Sequence, residues 1–221
     1  MKRYSKITSA YILFFAVVIA DVFAIISNNE QIRFVSKPLL MTFLALVYLF
    51  SVKKPKGIYI LGLFFSFLGD VFLLGTGQEF FMLGLASFLL AHIIYIKITS
   101  SYLDANLTAK MISSAFPFVL FFCLLLYLVA DQLENLLVPV IVYGVTISTF
   151  GSVAFLLYRT LKSVPNQWLF IGAIFFIISD SLIALNKFHE PRAYYGLLIM
   201  LTYILAQFLI CKAMIAKTND E

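Results

Sequence analysis

Residues 167–186 read QWLFIGAIFFIISDSLIALN, a run in which Asp180 is the only ionisable side chain. At about 1.5 Å of rise per residue, a helix of that length is about 30 Å long and matches the hydrocarbon core of a bilayer. Apolar runs of similar length recur on both sides of it, at about 7–27, 35–51, 57–75, 80–98, 111–130, 136–158 and 193–214. The pattern predicts an all-α membrane protein, a bundle of about eight transmembrane helices, with residues 1–221 forming one transmembrane helical domain. The second run is short and opens at Lys37-Pro38, which puts the proline in a first helical turn, where it is tolerated.

Hydrophobic residues make up 62% of the chain and charged residues 12%, with a mean hydropathy of +1.01. Soluble domains carry about 45–50% and about 25%, so the excess apolar surface has to face lipid. The net charge of +5 sits in short clusters between the runs and forms no stripe or tail, which argues against a nucleic-acid partner. Met1 to Lys6 followed by an apolar run imitates a signal peptide, but the run is long and lacks a clear small-x-small cleavage site, so it reads as a retained first helix. Cys123 and Cys211 both fall in apolar segments, where they are expected as small buried residues, which excludes a disulfide scaffold.

Eight crossings put both termini on one side. That side carries twelve basic residues (Lys2, Arg3, Lys6, Lys53, Lys54, Lys56, Lys97, Lys110, Arg159, Lys162, Lys212 and Lys217), and the other carries four, Arg33, Lys37, Lys187 and Arg192. Positive loops stay cytoplasmic, so both termini are expected in the cytoplasm, and in a bacterium the membrane would be the plasma membrane.

A weak repeat relates Gly62-x6-Gly69-Asp70 to Gly172-x6-Ser179-Asp180 at an offset of 110 residues, with Ala91-His92 and Ala206-Gln207 in the helices that follow. An offset of four helices would make two parallel four-helix repeats. Chance matching between Phe-rich helices is the competing explanation.

Ionisable groups inside a span are costly and usually face the bundle interior, which singles out Asp21, Asp70, His92 and Asp180. Each aspartate lies 13 or 14 residues after the cytoplasmic start of its span, about 20 Å in, so the three carboxyl groups could share one layer. Lys37 and Lys187 would stand about one or two turns above that layer, a height suited to the phosphate of a lipid; snorkelling lysines at the interface are the plainer reading. Two carboxyl groups close together and away from water tend to share one proton, so that one serves as acid and the other as base. Acetals, glycosides and enol ethers are hydrolysed by that pairing. A structural hydrogen bond is the alternative for each aspartate. His92 could reach the same cavity or make an interhelical hydrogen bond. Tyr203 and Gln207 share a helix face and either line the pocket or pack. With one intramembrane histidine and no dinucleotide, P-loop or zincin motif, the sequence demands no metal and no cofactor.

Several segments carry a resemblance: Ser36-Lys37-Pro38-Leu39-Leu40, Ser66-x2-Gly69-Asp70, Gly84-Leu85-x2-Phe88-x2-Ala91-His92-x2-Tyr95, Ser179-Asp180-x6-Lys187-Phe188 and Tyr203-x2-Ala206-Gln207. In this order the chain resembles the YhhN-like lysoplasmalogenase family of transmembrane proteins, from its first span to its last. The resemblance implies an eight-helix fold and hydrolysis of the vinyl ether bond of a lysophospholipid substrate to a fatty aldehyde and a glycerophospho-alcohol. It also matches the family's two intramembrane aspartates to Asp70 and Asp180. A small proton-coupled transporter using the same aspartates, and a structural or assembly factor, are the readings from other classes.

Overall fold

The computed structural model describes residues 2–103 and 108–220; the side chains of Lys2 and Arg3, counted above among the basic residues of one side, lie outside the described set. The described residues form eight α-helices and no strand: α1 (Lys2–Ile26), α2 (Glu30–Ser51), α3 (Gly57–Phe72), α4 (Gln78–Ser100), α5 (Thr108–Val129), α6 (Leu137–Thr160), α7 (Val164–Phe188) and α8 (Tyr195–Asp220). All except α3 are long and apolar enough to cross a bilayer. At 16 residues α3 is about 24 Å long.

Side-chain distribution shows which solvent the bundle faces. Ile12, Ile19, Phe116 and Val138 are 63%, 69%, 67% and 68% exposed, whereas Asp21, His92 and Gln207 are fully buried. An apolar exterior around a partly polar interior suits lipid, where hydrocarbon surface costs nothing and polar groups must find partners inside. The chain is a multi-pass integral membrane protein.

The chain divides into two compact units, Met1–Ile94 with Cys211–Glu221, and Tyr95–Ile210. In the first, α1 packs along α2 and α2 against α3. The α1–α2 hairpin turns at Asn28, whose φ of 51° is the left-handed conformation that asparagine tolerates better than most side chains. Its N–H and that of Asn29 donate back to the Ile25 and Ala24 carbonyls, closing α1, while the Asn29 side chain accepts from the Ile32 N–H and opens α2. This cap starts α2 at Glu30, earlier than the apolar run indicates. Pro38 therefore sits inside the helix, where it cannot donate to the Phe34 carbonyl. The last turns of α8 belong to this unit, tied to α2 by Tyr48 with Thr218 at 3.1 Å and by Asn219 donating to the Ser51 carbonyl at 3.3 Å.

In the second unit α5 packs on α6 and α6 on α7. Ser163 caps α7 by accepting from the Asn166 N–H, and Pro165 occupies the first turn. Gly172 of α7 meets α8 backbone to backbone: a Cβ there would stand 3.0 Å from the Ala206 carbonyl oxygen. Phe155 and Tyr158 of α6 stack on Phe170 of α7, with centroids 4.9 and 5.8 Å away.

Candidate active site

Successive residues project about 100° apart around a helix, so Ser36 and Lys37 of α2 reach different neighbours. The Ser36 hydroxyl donates to Asp21 Oδ1 on α1 at 2.7 Å, and the Lys37 ammonium lies 3.9 Å from Asp70 Oδ1 on α3. Two of the three expected carboxyl groups are thus served from adjacent positions of α2. All four side chains are buried. The charges of Lys37 and Arg33 both act on Asp21, whose Oδ2 is buried and accepts no hydrogen bond from a described residue. Lys37 is not a turn or two above the carboxylates: because α2 begins at Glu30, Lys37 sits two turns inside the helix, buried against Asp70. Around Asp70, Ser66 is buried one turn earlier on the same helix. Gly69 brings α3 against α4, for a Cβ there would lie 2.5 Å from the Phe88 ring. His92, one turn after Phe88 on α4, is fully buried.

In the second unit the Tyr143 hydroxyl of α6 donates to Asp180 Oδ2 of α7. Both line a cavity of about 50 Å³ with Phe122, Ser148, Ile177 and Ser181 among its walls. Ser179 donates to the Ile199 carbonyl of α8 at 3.0 Å. Further along α8, Tyr203 stands edge-on to Phe176 at 5.5 Å, and Gln207 Oε1 accepts from the Tyr95 hydroxyl at 3.1 Å. Lys187 is exposed in the last turn of α7, its ammonium 5.9 Å from the Phe188 ring centroid. Beyond that helix Arg192 pairs with Glu190 at 2.6 Å in an exposed loop. That contact holds the Arg192 guanidinium above its ordinary pKa through the hydrogen bond to Glu190.

A local arrangement therefore recurs. Each aspartate, Asp70 or Asp180, meets a side chain from the preceding helix, Lys37 or Tyr143. The small residue just before it, Gly69 or Ser179, touches the following helix. Tyr143 was not distinguishable from a packing aromatic on its own. The offset of 110 residues that relates Asp70 to Asp180 carries Lys37 to Ile147, one turn from Tyr143, so the repeat gave no direct signal for it. Among the described residues no group of three or more His, Cys, Asp or Glu side chains is placed to hold a metal.

Comparison with known proteins gives a consistent set of matches. The model of the YhhN family matches residues 32–214, a stretch that includes Asp70, Asp180, Lys37, His92 and Tyr143 and leaves out Asp21. Lysoplasmalogenase TMEM86A of Homo sapiens is 33% identical over 161 residues, covering 67% of this chain and 61% of that protein. The protein of the same name from Bos taurus is 32% identical over 164 residues, with the same coverages. Lysoplasmalogenase TMEM86B of Homo sapiens is 31% identical over 148 residues, 66% of this chain and 58% of that one. The matched stretch spans about six tenths of the length of each of these relatives. No solved structure matches.

Proposed function

The chain belongs to the YhhN family, and from that premise we propose that it is a membrane-embedded hydrolase cleaving the vinyl ether bond of lysoplasmalogen-type lysophospholipids. The observation that carries this reading is the match to relatives named lysoplasmalogenase, with both buried aspartates of the repeated arrangement inside the family's extent. The products are a fatty aldehyde and a glycerophospho-alcohol.

Asp70 and Asp180 supply the acid and the base. Proton transfer from a carboxylic acid to the β-carbon of the enol ether creates an oxocarbenium ion at the carbon bearing oxygen. The carboxylate base takes a proton from water as the water oxygen bonds to that carbon. The resulting hemiacetal breaks its bond to the glycerol oxygen, which leaves as the alcohol. Asp70, paired with the Lys37 cation, fits the base; Asp180, partnered by the neutral Tyr143 phenol, fits the proton carrier. Lys187, exposed at the end of α7, suits the substrate phosphate. The twelve-to-four division of basic residues favours cytoplasmic termini.

The test is to incubate the purified protein with a membrane lipid extract in D₂O buffer and follow every lipid by mass spectrometry. Selective loss of vinyl ether lyso-lipids is expected, with one deuterium on the carbon next to the aldehyde. Flux of a solute into proteoliposomes with no lipid consumed would point to a carrier instead.

A further inference from the structure

A second and larger cavity adjoins the small one that Asp180 lines. It encloses about 490 Å³ between α5 and α6, with Met111, Ala115, Val119, Thr149, Ser152 and Leu156 among its walls. That size falls within the about 300–1,000 Å³ of sites that hold small molecules. Its walls include three hydroxyl residues, which would ordinarily suggest a polar ligand. However, Thr149 donates to the Val145 carbonyl at 2.7 Å and Ser152 to the Ser148 carbonyl at 2.6 Å. Two of the three hydroxyls, bonded back to their own helix in this way, offer the cavity little beyond methyl and methylene surface, and the third, on Ser148, stands on the wall shared with the cavity that Asp180 lines. Met111 and Val145 are 52% and 53% exposed at its edge, on a surface that faces lipid.

The occupant follows from what this groove adjoins. Phe122 and Ser148 line both it and the small cavity that holds Tyr143 and Asp180. The Phe122 ring lies where a Cβ on Gly144 would be, so glycine lets the ring approach α6 at the wall that the two spaces share. An apolar groove that shares two wall residues with a cavity lined by a carboxyl group suits a molecule with one long hydrocarbon chain and a reactive bond at the polar end of that chain.

We infer that the α5–α6 groove is the binding site for the single hydrocarbon chain of the lyso-lipid substrate, with Phe122 separating the chain from the bond cleaved at Asp180. This rests on the hydrolase reading above. Since lipid tails are as apolar as the groove, no hydrophobic driving force draws the chain out of the bilayer. The groove therefore selects by shape, and chain length is what it discriminates.

Two arms test it. In the first, the protein in a diacyl phospholipid bilayer is exposed to a lysophosphatidylcholine carrying a diazirine midway along its acyl chain, irradiated and mapped by mass spectrometry. Adducts should concentrate on residues 111–123 and 145–156, and unlabelled lysophosphatidylcholine should remove them. Adducts spread evenly over the lipid-facing helices, or insensitive to that competitor, would mean that the groove holds bulk lipid only and would overturn the inference. In the second arm, aldehyde release is compared across vinyl ether lyso-lipids of different chain length for the wild type, Ala115→Phe and Thr149→Phe. Filling the groove should cut the ratio of long-chain to short-chain kcat/KM by about tenfold in at least one variant. An unchanged ratio in both variants, with each folded, would also overturn it. Competed adducts without aldehyde release from any vinyl ether substrate would leave the chain site standing and remove the hydrolase reading. Aldehyde release without competed adducts would do the reverse.

Discussion

Replacing Lys37 by methionine removes the positive partner of Asp70 while keeping most of the side-chain volume. The pair is 3.9 Å apart and its side chains are only 8% and 2% exposed. Two unit charges at about 4 Å interact by about 4 kcal/mol at an effective dielectric of about 20. Removing one member of a buried pair usually costs about 3–5 kcal/mol, because the other charge is left uncompensated. The unfolded state inside a membrane also finds partners, which trims such differences, so a loss of about 2–4 kcal/mol is expected for Lys37→Met. Asp70→Asn alone leaves a buried ammonium and should cost a similar amount. The double variant removes both charges and should recover most of the loss, giving a coupling energy of about 2 kcal/mol or more. Reversible unfolding in detergent reads all four proteins. Strict additivity, within about 0.5 kcal/mol, would show that the two charges do not support one another in the folded protein and would refute the ion-pair reasoning.

Other consequences are open to direct measurement. Tyr143→Phe deletes the hydroxyl that donates to Asp180; a hydrogen bond between neutral groups is worth about 0.5–1.5 kcal/mol, so kcat should fall about 2–10-fold with KM little changed in steady-state assays. Ser36→Ala takes away the hydroxyl that serves buried Asp21 and should destabilise by about 1–3 kcal/mol in thermal unfolding, with Asp21→Asn costing less because the amide is neutral. Gly144→Ala must displace the Phe122 ring and should cost about 1–3 kcal/mol. Gly57→Ala meets nothing within 4 Å and should leave stability unchanged or raise it by about 0.4–1 kcal/mol in the same assay.

The helices were legible because run length against bilayer thickness is a simple constraint, and it works best where charges bound a run on both sides. It failed at the start of α2. There the cap at Asn29 and the polar first turn from Glu30 to Arg33 carry no apolar signal, so Pro38 was expected near the helix start and lies inside it. The third run was read to residue 75, but α3 ends at Phe72, and the turns after it include Gly77 at φ 102°. Which way a side chain faces around its helix was not readable. Whether Lys37 stands at the interface or turns in toward Asp70 depends on how α2 rotates against α3, which one sequence does not encode in its run lengths. Ser36 and Tyr95 stood in recognisable motifs, yet nothing in those motifs said that one would serve Asp21 and the other Gln207. The α5–α6 groove was hidden for a further reason, since Thr149 and Ser152 look polar until their hydroxyls are seen turned back onto their own helix.

Aldehyde release from a purified lysoplasmalogen by the wild type, Asp70→Asn, Asp180→Asn and the double variant is the measurement that bears most directly on the proposed chemistry. With insertion and folding matched to the wild type, each single variant is expected to lose about 10²–10⁴ in kcat. The double variant should be little worse than the weaker single one, as for residues that serve successive steps of one reaction, where the slower step sets the rate. Wild-type rates from both single variants would show that neither carboxyl group takes part in breaking the bond.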